Sequence, residues 1–83
     1  MLNYRLQDKV AIIGLDDGKA NAVGHGFVDA MTEGLDRAER DAAAVVITGR
    51  EGVFSAGFDL KEIAKGAQER TELVNRGAAM LLR

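Results

Sequence analysis

The alternation of apolar and polar residues at the start of the chain predicts a β-hairpin. Residues 2–6 alternate between the two types, which is the pattern of a strand with one face buried. Residues 7–9 are polar and predict the turn. The nearly unbroken apolar run 10–15 predicts a second strand that is covered on both faces. The polar residues 16–21 then predict a loop.

Helical spacing of apolar residues predicts two longer helices, with a further strand between them. The first helix is predicted over residues 27–40, and the run 42–48 predicts another buried strand. A turn over 49–52 and a short helix from Asp59 to about Gly66 follow. A last helix is predicted from about Glu69 to Arg83. The apolar positions of the two longer helices are Phe27, Val28, Met31, Leu35 and Ala38, and then Leu73, Val74, Gly77, Met80 and Leu81.

The predicted order of elements is β-β-α-β-α-α, which indicates the α/β class. The second strand, the first helix and the third strand fit one right-handed crossover. Parallel strands covered by helices usually belong to a larger sheet, so residues 1–83 are interpreted as one unit, the N-terminal portion of a larger domain. Arg83 is also a residue after which a trypsin-like protease would cut. We therefore expect the chain to be a fragment of a longer protein.

Composition excludes several classes of function. The 83 residues contain no Cys and a single His, His25, so disulfides, thiolate metal sites and multi-histidine sites are ruled out within the chain. The net charge is −2 and no basic face indicates nucleic-acid binding. No apolar run is long enough for a membrane span, and no secretory signal is recognisable. We expect a cytoplasmic protein without a metal.

Two local patterns resemble catalytic or nucleotide-binding motifs but are incomplete. Gly24-His25-Gly26 precedes a helix, yet the third glycine of a dinucleotide-binding loop is replaced by Asp29. Ser55 lacks the first glycine of a nucleophile elbow and has no histidine placed to activate it. Ser55 is interpreted as a turn serine that bonds local backbone groups, and His25 as a loop or cap residue.

The stretch "VFSAGFDLKEI", residues 53–63, carries more specific information. Asp59 is predicted to cap a helix, with Glu62 bonding back to it. Gly57 allows a sharp turn, so the amides at Phe58 and beyond can point outward and stabilise a negative oxygen. Loops that follow parallel strands meet at one sheet edge, so Lys19 can face the same cleft and suit a phosphate-bearing ligand. The alternative is an ordinary capped helix start.

Two segments together resemble the crotonase family, the enoyl-CoA hydratase/isomerase proteins. "GREGVFSAGFDLKEI" resembles the family pattern that forms part of its oxyanion hole, and "DDGKANAV" resembles the preceding loop. In the second segment Asp16-Asp17 stands where the family usually has Arg-Pro, which leaves the path of this loop open. The matching residues are Asn21, Ala22, Gly49, Phe54, Ser55, Ala56, Gly57, Asp59, Leu60 and Lys61.

The resemblance implies a ββα superhelix, of which this chain is the N-terminal part, in a homo-trimer or hexamer. It implies an acyl-CoA thioester as ligand, with coenzyme A entering as part of the substrate and no separate cofactor. The backbone N–H of Phe58 would form half of the oxyanion hole, and the bulk of its ring would narrow the acyl pocket. The coenzyme A contacts implied are Lys19, Ala20, Ala56, Gly57, Phe58, Asp59, Leu60 and Lys61.

The resemblance also implies that essential groups are missing from these 83 residues. Family members are much longer, and their second oxyanion donor and catalytic glutamates lie further along the chain. We expect a hydratase or isomerase in the whole protein and no catalysis by the isolated chain. Two alternatives are an acyl-CoA-binding protein without hydratase activity, and a non-enzymatic module that associates through an exposed sheet edge.

Overall fold

A three-stranded sheet forms one layer of the molecule. The computed structural model describes residues 2–82, so Arg83, with the predicted cleavage site, lies outside the described residues. Strands β1 (Leu2–Gln7) and β2 (Val10–Leu15) form the predicted antiparallel hairpin. Strand β3 (Ala44–Thr48) pairs parallel to β2, which gives the order β1-β2-β3.

Three helices follow the predicted order. Helix α1 (His25–Asp41) crosses over between β2 and β3 and begins two residues earlier than predicted, with Gly24 as its N-cap. Helix α2 (Leu60–Ile63) is a single turn. Helix α3 (Ala67–Leu81) also begins two residues early, after Gly66. The observed order β-β-α-β-α-α confirms the predicted mixed α/β class.

The hydrophobic core lies between β2, α1 and α3, with α1 in contact with both β2 and α3. Ile13 and Leu15 point from β2 toward the buried face of α1, and Leu73 of α3 is a fully buried member of the same cluster. The helical spacing predicted most of this core correctly. The full cluster of buried side chains is Ile13, Leu15, Phe27, Val28, Met31, Leu73 and Met80.

The predicted burial of β2 and β3 is wrong for the described residues. In β2 the buried residues alternate with half-buried ones, so only one face is fully covered. All five residues of β3 are exposed, and Val46 is 48% accessible. Strand β3 lies at the edge of the sheet, and the elements among residues 2–82 that pack on its faces leave its side chains exposed. The apolar run identified the strand but not what covers it.

Candidate functional site

Two loops pair directly at the sheet edge where β2 and β3 end. The first loop, residues 16–24, follows β2, and the second loop, residues 49–59, follows β3. The amide of Ala56 donates to the carbonyl of Ala20 at 2.8 Å. Val23 forms a parallel bridge with Phe58: its amide donates to Gly57 at 2.7 Å, and its carbonyl accepts from Asp59 at 2.8 Å. The predicted meeting of the two loops is confirmed.

Asn21 is a buried hydrogen-bonding centre between the loops. It is 1% exposed and adopts φ of 54°, a left-handed conformation that Asn tolerates better than most residues. Its side-chain amide donates to the carbonyls of Leu15 at 3.0 Å and Phe54 at 2.9 Å. Its side-chain oxygen accepts from the amide of Asp17 at 3.0 Å. Asn21 therefore ties the end of β2 to both loops.

Ser55 completes the pairing in the way the sequence predicts for a turn serine. Its hydroxyl donates to the carbonyl of Asn21 at 2.8 Å and accepts from the amide of Gly57 at 3.1 Å. The hydroxyl is thus committed to backbone groups. His25 makes its own contacts elsewhere, with Arg76 and Glu62. No described contact places His25 as a base for Ser55, which agrees with the sequence interpretation.

The pairing leaves the amide of Phe58 directed outward. Because both backbone groups of Val23 bond to the residues on either side of Phe58, the N–H of Phe58 points away from the first loop. No hydrogen bond joins this N–H to another of the residues 2–82. Gly57 makes the turn possible with φ of 89°, a conformation that disfavours any side chain. The site therefore presents one fixed, available backbone donor.

Asp59 caps α2, but the predicted reciprocal bond is wrong. The carboxylate of Asp59 accepts from the amide of Lys61 at 2.9 Å, as an N-cap should. The amide of Asp59 is already bonded to Val23, so Glu62 cannot complete a capping box. Glu62 instead pairs with Lys65 at 2.7 Å and lies 3.8 Å from His25. This ion pair raises the pKa of Lys65 above its ordinary value.

An apolar cleft of about 480 Å³ opens beside Phe58. It lies between α1, β3, the second loop and α3, and its size is within the range of small-ligand pockets. The ring of Phe58 lies against Gly77. A Cβ added at position 77 would lie only 2.7 Å from Phe58 Cε1. Other lining residues include Phe27, Met31, Leu35, Val45, Ile47 and Met80.

Most of the remaining predicted ligand contacts are exposed residues of the two loops and of α2. Lys19, Ala20, Ala56 and Lys61 are exposed, and Leu60 is 77% accessible. Their side chains make no described contact that would fix them to the core. They are therefore available to a ligand that approaches along the paired loops.

Arg50 is a site residue that sequence reasoning missed. Its guanidinium donates to the carbonyl of Lys19, and its Nε lies 3.7 Å from the Asp16 carboxylate. It thereby holds the tip of the first loop against the second. The sequence pattern predicts position 50 only as part of a turn. The available signal was its positive charge and the acidic pair 16–17, which lie on two loops predicted to meet.

Asp17 shapes the tip of the first loop through its carboxylate. The oxygen accepts from the amides of Lys19 at 2.7 Å and Asn21 at 3.1 Å. These bonds favour the charged form, so the pKa of Asp17 lies below its ordinary value, chiefly because of the Lys19 amide. The path of this loop, left open by the Asp16-Asp17 sequence, is defined by these bonds.

A polar cluster joins helices α1 and α3. Arg76 of α3 contacts His25 Nδ1 at 2.6 Å and pairs with the carboxylate of Asp29, both on α1. No local sequence pattern indicates this cluster, because Arg76 lies about fifty positions from its two partners. Across residues 2–82 no group of metal-binding side chains and no helix suited to crossing a membrane is found.

Known proteins resemble this chain in both sequence and fold. The family model described as enoyl-CoA hydratase/isomerase matches residues 5–83. A Bacillus subtilis protein described as a probable enoyl-CoA hydratase is 32% identical over 78 residues, which cover 89% of this chain and 30% of that protein. A family member from Pseudomonas syringae superposes with a TM-score of 0.89 at 38% identity, covering 95% of this chain and 34% of that one.

A Mycobacterium tuberculosis protein is similar to the same degree. One of its structures is described as an enoyl-CoA isomerase, with 39% identity and a TM-score of 0.87, and covers 95% of this chain and 34% of that one. Another is described as a probable enoyl-CoA hydratase, with 41% identity and a TM-score of 0.84, and covers 92% and 33%. This chain spans about a third of the length of these relatives.

Proposed function

The chain belongs to the enoyl-CoA hydratase/isomerase family, and on that premise we propose that the whole protein acts on acyl-CoA thioesters. The reaction would pass through an enolate formed at the thioester. Residues 16–24 and 49–59 would supply part of the binding site and one half of an oxyanion hole. The observation that carries the proposal is the available N–H of Phe58 beside an apolar cleft.

The backbone amide of Phe58 has the properties that an oxyanion donor needs. Its direction is set by the Val23 bridge, so it needs no reorganisation when charge develops on the thioester oxygen. The apolar lining of the cleft excludes water on one side, which strengthens the interaction. The donor would stabilise the enolate more than the neutral thioester, and this difference is what accelerates the reaction.

The coenzyme A portion would run along the open side of the paired loops. Lys19 and Lys61 are exposed cations that suit its phosphates. Ala20, Ala56, Gly57 and Leu60 would supply backbone and apolar contact. Asp59 would act indirectly, by capping α2 and fixing the turn.

The acid and base of the reaction are proposed to lie outside residues 1–83. No acidic side chain among residues 2–82 faces the Phe58 amide through a described contact. Asp59 caps α2, Asp17 orders a loop, and Glu62 pairs with Lys65. The isolated chain is therefore proposed to be inactive, since one oxyanion donor alone typically contributes ~10²–10³ in rate and acid–base groups a further ~10²–10⁴.

Hydration and double-bond isomerisation remain alternatives within this proposal, because the relatives described above carry both names. An acyl-CoA-binding protein without hydratase activity would use the same amide. The further proposals of a trimer or hexamer and of a cytoplasmic location rest on family membership.

A second candidate function is association through β3. It is supported by the exposed apolar residues Val45, Val46 and Ile47 on a strand with an unpaired edge. Size-exclusion chromatography of the 83-residue chain tests it. A monomer over a wide concentration range would count against association.

The test of the enzyme proposal removes the donor and keeps the side chain. Replacing residue 58 by its α-hydroxy acid analogue, phenyllactic acid, exchanges the N–H for an ester oxygen. In the whole protein we expect kcat for enoyl-CoA hydration or isomerisation to fall by about 10²–10³. The matched control replaces Ala56 by its own α-hydroxy acid analogue, lactic acid. The amide that this removes bonds to Ala20 in the loop pairing. Equal losses in the two variants would contradict the assignment.

A further inference from the structure

Gly77 of α3 is buried directly under the ring of Phe58. A Cβ at Gly77 would lie 2.7 Å from Cε1 and 3.0 Å from Cζ of that ring, too close for any side chain to fit without displacing it. Gly77 is the eleventh residue of the fifteen in α3 (Ala67–Leu81), where glycine costs about 0.5–1 kcal/mol relative to alanine. The contact with the ring gives a physical reason for a glycine at this position.

The same ring belongs to the residue whose amide forms the proposed donor. The Phe58 backbone is held on one side by its bridge to Val23. Its side chain is held on the other side by the surface of α3 at Gly77. Two contacts in different directions define the orientation of a peptide group much better than one contact does.

Helix α3 also contacts the start of α1, which directly follows the segment that contains Val23, the other partner of that bridge. Arg76, next to Gly77, contacts His25 and Asp29 at the start of α1, and Val23 lies just two residues before that helix. One turn of α3 therefore braces both Phe58 and the segment to which Phe58 is paired. The relative position of the two loops depends on this turn.

We propose that Gly77 is a positioning residue that, together with the Val23 bridge, holds the direction of the Phe58 amide through the surface it provides for the Phe58 ring. This inference rests on the proposed function. A Cβ at position 77 must displace the ring from α3, and the proposal requires that this displacement turns the attached peptide group rather than the ring alone. A displacement of about 1 Å in a catalytic group can cost ~10²-fold in rate. The loss is expected to fall on kcat, because the exposed residues Lys19 and Lys61, proposed to bind the coenzyme A phosphates, do not contact Gly77.

A double-mutant cycle in the whole protein tests this coupling. Gly77→Ala is expected to lower kcat by about 10–100-fold with KM little changed. In a Phe58→Ala background the ring is absent, so adding Gly77→Ala is expected to change kcat by less than about threefold. The control is Gly26→Ala in α1, where an added Cβ meets open space, and no change is expected.

The cycle separates an effect that passes through the Phe58 ring from an effect on α3 alone. If Gly77→Ala perturbs α3 independently of the ring, it lowers kcat equally in both backgrounds, and the proposal is overturned. An unchanged kcat in the single variant overturns it as well, while leaving the proposed function intact.

A readout without catalysis distinguishes this inference from the proposed function. If the wild-type protein neither binds nor converts acyl-CoA, the proposed function fails. The ¹H–¹⁵N residual dipolar coupling of residue 58, which reports the direction of the N–H bond, then decides. Gly77→Ala should change this coupling in the wild-type background and leave it unchanged in the Phe58→Ala background. An unchanged coupling in the wild-type background, or equal changes in the two backgrounds, would overturn the positioning role.

Discussion

Replacing Asn21 by alanine should separate the two loops while leaving the hairpin folded. The substitution removes three hydrogen bonds of the buried side chain, to Leu15, Phe54 and Asp17. Each such bond contributes about 0.5–1.5 kcal/mol net, so about 1.5–4.5 kcal/mol is lost in total. Alanine also adopts the left-handed conformation at φ of 54° with a penalty of about 1 kcal/mol.

Glycine at the same position separates the two contributions. Asn21→Gly loses the same three hydrogen bonds but has no left-handed penalty. We therefore expect Asn21→Gly to be about 1 kcal/mol less destabilising than Asn21→Ala. If the two variants lose the same stability, alanine has no conformational penalty at position 21.

Native-state hydrogen exchange measures the effect where it occurs. The amides of Val23, Ala56 and Asp59 donate across the loop pairing, so their protection reports its opening. With the left-handed penalty included, the total is about 2.5–5.5 kcal/mol; since about 1.4 kcal/mol corresponds to a tenfold change, protection of these amides should fall roughly 60- to 8000-fold in Asn21→Ala. The amides that join β1 to β2 should change much less. Protection of the loop amides within about threefold of wild type would refute the reasoning.

Two further predictions concern ionisation. The carboxylate of Asp17 has a lowered pKa, so its contribution to loop stability is present above the ordinary pKa of 3.8 and is lost as the pH falls through the lowered pKa. A ¹³C titration of its carboxyl carbon should give a midpoint below 3.8. A midpoint at or above 3.8 would contradict the two amide bonds. Lys65 has a raised pKa, so the stability it contributes is present below 10.5 and is lost as the pH rises through the raised value. Glu62→Gln should bring the ¹⁵N titration midpoint of Lys65 back toward 10.5, whereas Glu72→Gln on α3, which is not among the causes of the shift, should leave it raised.

The order of the elements could be predicted from the sequence because it depends on local patterns. Alternation at residues 2–6, apolar runs at 10–15 and 42–48, and helical spacing in the two longer helices each reflect which face of one element is apolar. The exposure of β3 could not be predicted this way. An apolar run indicates a strand that can be buried, and whether it is buried depends on an element that packs against it.

The candidate site was predictable only where a motif is contiguous. The turn 55–59 and the cap at Asp59 are local, and both are found in the structure. The bonds of Asn21 to Phe54 and of Arg76 to His25 join positions 33 and 51 apart. Those contacts depend on how two loops meet and how α3 is rotated against α1, and no local pattern encodes either.

The proposed donor is a backbone group, and this changes where the sequence constrains function. Every residue except proline has an N–H, so the identity of residue 58 does not decide whether a donor exists there. The identity of residue 58 decides which neighbouring surface its side chain must pack against so that the peptide group stays in place. A phenylalanine at this position needs space on α3, and Gly77 provides it. In the proposed mechanism the requirement for catalysis would then be carried by Asn21, Gly57 and Gly77, which would touch no reacting atom and would determine where the amide points.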